Sequence, residues 1–221
     1  MGKHITRSSI LLTIIFVFAL GSCRKEESLN FTIQGKILNA RSGEPLSGAH
    51  VEVRQQVVEN GVFSAIYSEA AETLTAPDGG YNLTWARENI AGLRLLIDKE
   101  QYISRQLDLS VSAVESGDVY TLHSSLYPEA FVTVHISNTA SANPSDQFSF
   151  RYDDAQFDCT CCNEDWKIFT GSDTDTTFTC RLYGDTWLKY VQQITTIEAD
   201  TLIVDSIWCP AFQDTPLDLT Y

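Results

Sequence analysis

From residue 31 onward the chain repeats one pattern. Short stretches in which apolar and polar side chains alternate are separated by clusters of Gly, Asn, Asp, Ser and Pro. Alternation with period two describes a strand with one buried face, and the intervening residues supply the φ values that tight turns need. No window of a dozen residues beyond the first thirty carries the 3.6-residue periodicity of an amphipathic helix, so the expected fold is all-β.

Phe31 to Ile37 alternates cleanly, and Asn39 to Leu46 (NARSGEPL) reads as a turn. His50 to Arg54 follows as a strand with Val51 and Val53 on one face. Ala76-Pro77-Asp78-Gly79-Gly80 reads as a hairpin turn before Tyr81 to Trp85. Ile90 to Ile97, Tyr102 to Leu109 and Val119 to Leu126 supply the remaining strands of a first unit, residues 31–127.

Pro128 opens a second unit, residues 128–221. Its first strand, Ala130 to Ile136, puts Val132, Val134 and Ile136 on one face and Phe131, Thr133 and His135 on the other. Gln147 to Tyr152 is a strand, Trp187 to Thr196 and Thr201 to Trp208 form a later pair, and Pro216 to Tyr221 reads as a final edge strand. The expected architecture is therefore two β-sandwiches in tandem.

Residues 1–22 stand apart. Lys3 and Arg7 precede the apolar run Ile10 to Leu20, whose eleven residues would cover only about 16 Å as a helix. That is about half of a hydrocarbon layer, and it reads as the short core of a secretory signal. Leu20-Gly21-Ser22-Cys23 resembles the lipobox of bacterial lipoproteins, in which the cysteine is acylated and becomes the new N-terminus. Lys25-Glu26-Glu27 resembles the signal that sends Bacteroidetes lipoproteins to the cell surface. The resemblance implies a lipid anchor at Cys23, a tether over residues 23–30 and an outer-membrane location facing the exterior, with several acyl chains making the attachment stable.

The first unit resembles the carboxypeptidase regulatory-like module, a transthyretin-like sandwich. The residues that carry this are Gly35, the stretch Gly43 to Val51 (GEPLSGAHV), Asp78-Gly79-Gly80-Tyr81 and Tyr102. Gln101 departs from the pattern, which has Gly before that aromatic. In carboxypeptidases the module is accessory; a zinc-binding His-x-x-Glu is missing from this sequence, as is the Tyr-Arg-Gly-Ser tail of transthyretin-like hydroxyisourate hydrolases. The second unit resembles the C-terminal sandwich that follows such modules in Bacteroidetes lipoproteins.

Six cysteines are present. With Cys23 acylated, Cys159, Cys161, Cys162, Cys180 and Cys209 remain, and in an exported protein the expectation is two disulfides and one free thiol, with the pairing open. Zinc in the Cys-x-Cys-Cys cluster would lack a second paired knuckle. Calcium at Asp153, Asp154 and Asp158, or in Gly171 to Thr176, would lack EF-hand spacing. No cofactor or metal is expected.

The formal charge of −14 is uneven: residues 128–221 hold four basic and fifteen acidic residues. A surface of that sign repels phosphate backbones, so nucleic acid is not an expected partner. No nucleophile elbow, phosphate loop or dinucleotide fingerprint occurs, and the strand histidines at 50, 123 and 135 read as packed or exposed neutral side chains rather than catalysts. The expected role is a non-catalytic, surface-tethered binding or accessory protein, with an outer-membrane transporter of the glycan-uptake type or a surface glycan as partner. A structural or adhesive surface protein is the alternative, and a hydrolase a further one. Trp166, in a polar loop beside acids, is the candidate ligand contact, whereas Trp187 and Trp208 are expected to pack inward.

Overall fold

The computed structural model describes residues 30–115, 119–138, 145–153, 162–171 and 173–221. The signal region, Cys23, the Lys25-Glu26-Glu27 signal, Cys159, Cys161, Asp154 and Asp158 lie outside the described residues. The rest is two β-sandwiches in tandem, as the alternation requires.

In the first sandwich one sheet runs β5 (Gly80–Ala86), β1 (Asn30–Asn39), β8 (Tyr120–Thr121), with β9 (Ser124–Leu126) also alongside β1. The facing sheet is centred on β2 (His50–Glu59). It carries β4 (Ser68–Leu74) and the short β3 (Val62–Phe63) on one side and β6 (Ile90–Asp98), then β7 (Arg105–Leu109), on the other. Phe31, Ile33 and Ile37 of β1 meet Val51 and Val53 of β2, Leu83 and Trp85 of β5, and Leu93, Leu95 and Ile97 of β6 in one buried core. The Trp85 indole in that core donates to Gln55 Oε1 at 3.0 Å, and Gln55 in turn donates to Glu88, so the buried polar groups are paired.

The residues at Ala76–Gly80 do form a tight turn, with Ala76 N bonded to Gly80 O at 2.8 Å. It is not a hairpin turn: β4 pairs with β2 and β5 with β1, so the chain crosses from one sheet to the other there. Local turn chemistry is the same for both connections; only the hydrophobic face that follows decides which sheet receives the strand. The expected strand at 119–126 is broken into β8 and β9 around Leu122 and His123, both running parallel to β1. One helical turn, α1 (Val111–Glu115), adds Val114 to the core; neither it nor β3 and β4 is among the elements that the alternation predicts.

The second sandwich packs β13 (Asp175–Tyr183), β10 (Glu129–Ser137) and β16 (Asp214–Thr220) against a second sheet. That sheet runs β12 (Lys167–Thr170), β11 (Gln147–Asp153), β14 (Thr186–Thr195), β15 (Asp200–Cys209). Val132, Val134 and Ile136 are fully buried, as their alternation requires, against Phe148, Phe150, Tyr152, Leu182, Leu188, Tyr190 and Leu217. β16 is a terminal strand, parallel to β10.

The sandwiches meet at a bonded joint. Glu129 N donates to Gln101 O at 2.9 Å, Gly184 N to Pro128 O at 2.7 Å, and Arg41 Nε to Gly184 O at 3.0 Å. Arg181 pairs with Glu129 at 2.8 Å and donates to Tyr102 O at 3.1 Å. Tyr127 stacks on Tyr183 at 4.5 Å, and Tyr102 meets Phe212 edge-on. Gln101 has φ of 66°, a left-handed conformation that glycine adopts without strain. Asn39, at the C-terminal end of β1, reaches Tyr102 here, so Asn30 lies about 30 Å away at the opposite pole of the first sandwich.

Candidate functional site

Among the described residues, the outer face of the sheet β12–β11–β14–β15 carries much chemistry that is not consumed by folding. Register fixes its membership. Trp187 lies opposite Trp208, Val191 opposite Val204 and Gln193 opposite Leu202; Arg151 lies across from Val191, and Ser149 across from Ile168. Alternation sends the neighbours of these residues, Phe150, Leu188 and Tyr190 among them, into the core.

On this face Trp187 is 62% exposed, Leu202 and Val204 are each 64%, Ile168 is 59%, and Trp166 and Trp208 are 42% and 41%. Single exposed apolar residues are ordinary; six on one sheet face make it the candidate site. The Trp187 and Trp208 rings are 5.6 Å apart and inclined by 60°, so they form a corner rather than a flat shelf. A flat shelf suits the face of a sugar ring, and a corner suits a protruding apolar side chain. Trp166 immediately precedes β12, with the Arg151 guanidinium 5.3 Å from its ring, and Arg151 also pairs with Asp153.

Trp166 is thus exposed as the sequence suggests, but Trp187 and Trp208 do not pack inward. Alternation places them on the face opposite to Leu188 and Ile207, and nothing in the sequence says whether a second layer covers that face. The strand pair Trp187 to Thr196 and Thr201 to Trp208 was the available signal, since its two tryptophans share one face once the hairpin is closed.

β15 is a terminal strand, exposed from Asp200 to Ser206. Long apolar edges invite pairing with other chains. Asp200 and Asp205 interrupt this one, and Asp205 Oδ1 accepts the Ser206 N–H at 2.7 Å.

Behind the face, Cys162 and Cys180 form a disulfide with Cα atoms 5.6 Å apart. Tyr152 donates its hydroxyl to Cys180 Sγ at 3.0 Å. Cys209 is a buried free thiol whose pKa burial pushes up to about 11. Lys167 alternates inward from Trp166, its ammonium 5.2 Å from the Tyr152 ring and 5.7 Å from that of Phe178, and burial lowers its pKa. Among the described residues no group of three or more His, Cys, Asp or Glu side chains is arranged to hold a metal ion.

Histidine provides an unforeseen feature. His50 on β2 donates from Nε2 to Glu72 on β4 at 2.8 Å and from Nδ1 to Asp98 on β6 at 3.0 Å. His135 on β10 repeats the arrangement, with Asp175 on β13 at 2.9 Å and Asp218 on β16 at 3.2 Å. Each imidazole is stapled between carboxylates from both flanking strands. Those hydrogen bonds raise both pKa values above 6.5, favouring the charged rather than the neutral form. The reason is invisible in sequence, because the acids lie 22 to 83 positions away. A raised folded pKa gives stability that is complete below the unfolded value and is lost as pH rises through the folded one. His50→Gln and His135→Gln are therefore expected to lower the urea midpoint at about pH 5.5 and to lose most of that effect by about pH 9, as parallel titrations would show. An equal loss at both values would mean that the imidazoles contribute only packing. His123 is different: its Nδ1 accepts the Lys36 backbone N–H at 3.1 Å.

No family model matches the chain, and none of the curated proteins matches it. Solved structures do. The Bacillus anthracis TIE protein is 9% identical over 87% of this chain, with a TM-score of 0.37, and the chain spans 34% of its length. The Streptococcal ancillary pilin is 11% identical over 88% of the chain and 63% of its own, with a TM-score of 0.30. The shaft pilin spaA from Lactobacillus rhamnosus GG, as a D295N mutant, is 10% identical over 85% and 97%, also at 0.30.

Proposed function

We propose that this chain is a non-catalytic, lipid-tethered cell-surface protein with a structural or adhesive role, holding a protein partner on the outer face of its second sandwich. The observation that carries the reading is the exposed aliphatic and tryptophan surface centred on the Trp187–Trp208 corner. The tether that would follow Cys23 enters at Asn30, at the pole of the first sandwich away from the joint. The first sandwich then acts as a spacer, and the second stands outermost.

The test is adhesion of cells displaying the full chain, compared with the Trp187→Ser/Trp208→Ser double variant. Paired tryptophans at the centre of an interface are worth about 2 kcal/mol or more, so adhesion or partner capture should fall at least about tenfold. Folding stability should change little, because these rings are exposed. Undiminished adhesion by the double variant would sink the reading. An outer-membrane transporter recovered in stoichiometric amount, and lost with the same variant, would make the partner a nutrient-uptake system and the protein its accessory subunit.

A further inference from the structure

The joint between the sandwiches holds a cleft of about 330 Å³ lined by Ile103, Ser104, Arg105, Ser125, Tyr127 and Tyr183. That volume lies at the lower end of small-molecule sites, and junctions between domains are where such sites concentrate. The arginines are what set it apart. Arg54, Arg94, Arg151 and Arg181 each lie within 3.2 Å of a carboxylate. Among the described residues Arg41 and Arg105 have no such partner; Arg105 lines the cleft with Tyr127, whereas Arg41 lies outside the lining, over the Tyr127 ring, with its Nε on the Gly184 carbonyl. The Arg41 guanidinium is 5.1 Å from the Tyr127 ring centroid, and Arg105 Nη1 donates only to the Ser125 carbonyl, at 3.3 Å.

Arg105 shares the alternation of Leu107 and Leu109, both of which pack against the first core. It occupies the next position on that face, beyond the end of the core, where the second sandwich begins. A guanidinium carries five N–H donors, and one backbone carbonyl leaves most of them unused. In a chain of formal charge −14, a lining arginine without a carboxylate partner, with a second arginine on the ring of a lining tyrosine, runs against the prevailing sign.

We propose that this cleft binds an acidic sugar residue of the uronate type, with its carboxylate on Arg105 and its ring against the Tyr127–Tyr183 pair. A carboxylate matches the guanidinium fork in shape and charge. Tyrosine offers an apolar ring for the sugar's C–H face and a hydroxyl for its polar rim, and Ser104 and Ser125 lie where sugar hydroxyls need partners. A single negative charge suits the site better than a phosphate dianion, which the surrounding acidic surface opposes. The site is separate from the tryptophan corner and does not depend on it.

Calorimetric titration of the full chain in detergent micelles with glucuronate, glucose and acetate tests this. Glucuronate should bind, glucose and acetate at least about tenfold more weakly, because the ring and the charge each supply part of the affinity. Arg105→Gln should weaken glucuronate at least about tenfold and Arg105→Lys less, since lysine keeps the charge but not the fork. Both should unfold like the parent, because Arg105 is exposed, and Trp187→Ser should bind like the parent. Glucose binding as tightly as glucuronate, acetate binding as tightly (which would indicate a bare carboxylate such as a peptide terminus), no binding at all, or indifference to Arg105→Gln would each overturn the proposal.

Discussion

Replacing Cys162 and Cys180 together by alanine should cost the second sandwich about 3 kcal/mol. The bridge closes a loop of 18 residues and is buried at both ends, so its removal both frees the unfolded chain and takes packing from the core. It also removes the sulfur that accepts the Tyr152 hydroxyl. Urea denaturation followed by the signals of the two sandwiches separately should show the loss in the second. Trp85, packed 5.5 Å from Phe31 in the first core, should report an almost unchanged transition. Cys209 provides an internal control. Buried and with its thiol pushed to about 11, it should resist iodoacetamide at about pH 8 in the parent and become labelled in the double variant as local opening grows. Unchanged stability with Cys209 still protected would mean that the bridge is not what closes this core.

Strand identity was legible because period two is a property of each segment by itself. β1, β5, β6 and β10 lie where their alternation puts them, and Val132, Val134 and Ile136 face inward as read. Partner choice was not legible, because it depends on residues far away. The turn before Tyr81 therefore reads as a hairpin although its two strands belong to opposite sheets. The same limit governs the site. Alternation shows that Trp187 and Trp208 share a face with Val191 and Val204, but whether that face is covered depends on the number of layers, which no strand encodes. The stapled histidines follow this rule too, since each needs two carboxylates contributed by neighbouring strands. β4 escaped for a different reason: Ser68 to Leu74 (SEAAETL) is built from small and polar residues with little preference for strands, and it is held by its pairing to β2.

Gly35→Ala should destabilise the first sandwich by about 3–4 kcal/mol, within the range that follows when buried backbone must move. A Cβ at that position would lie 1.7 Å from the Leu122 carbonyl oxygen and 2.6 Å from its carbon. The obstacle is main chain, which cannot rotate aside as a side chain can, so β8 would have to leave β1. Three bonds depend on that approach. Leu122 N donates to Gln34 O at 2.8 Å, the buried Tyr81 hydroxyl donates to Leu122 O at 2.8 Å, and His123 accepts from Lys36 N. Gly43→Ala is the matched control: φ there is 75°, but nothing lies within 4 Å of the added methyl, so it should cost only the left-handed strain, about 1–2 kcal/mol. If the two substitutions prove equal, β8 does not lie against β1 as described. The difference also separates the roles assigned to the two halves. A first sandwich that merely spaces can lose several kcal/mol with the tryptophan corner intact, so Gly35→Ala should lower thermal stability while purified protein still captures the partner that Trp187→Ser/Trp208→Ser loses. Loss of capture in both would place part of the binding surface on the first sandwich.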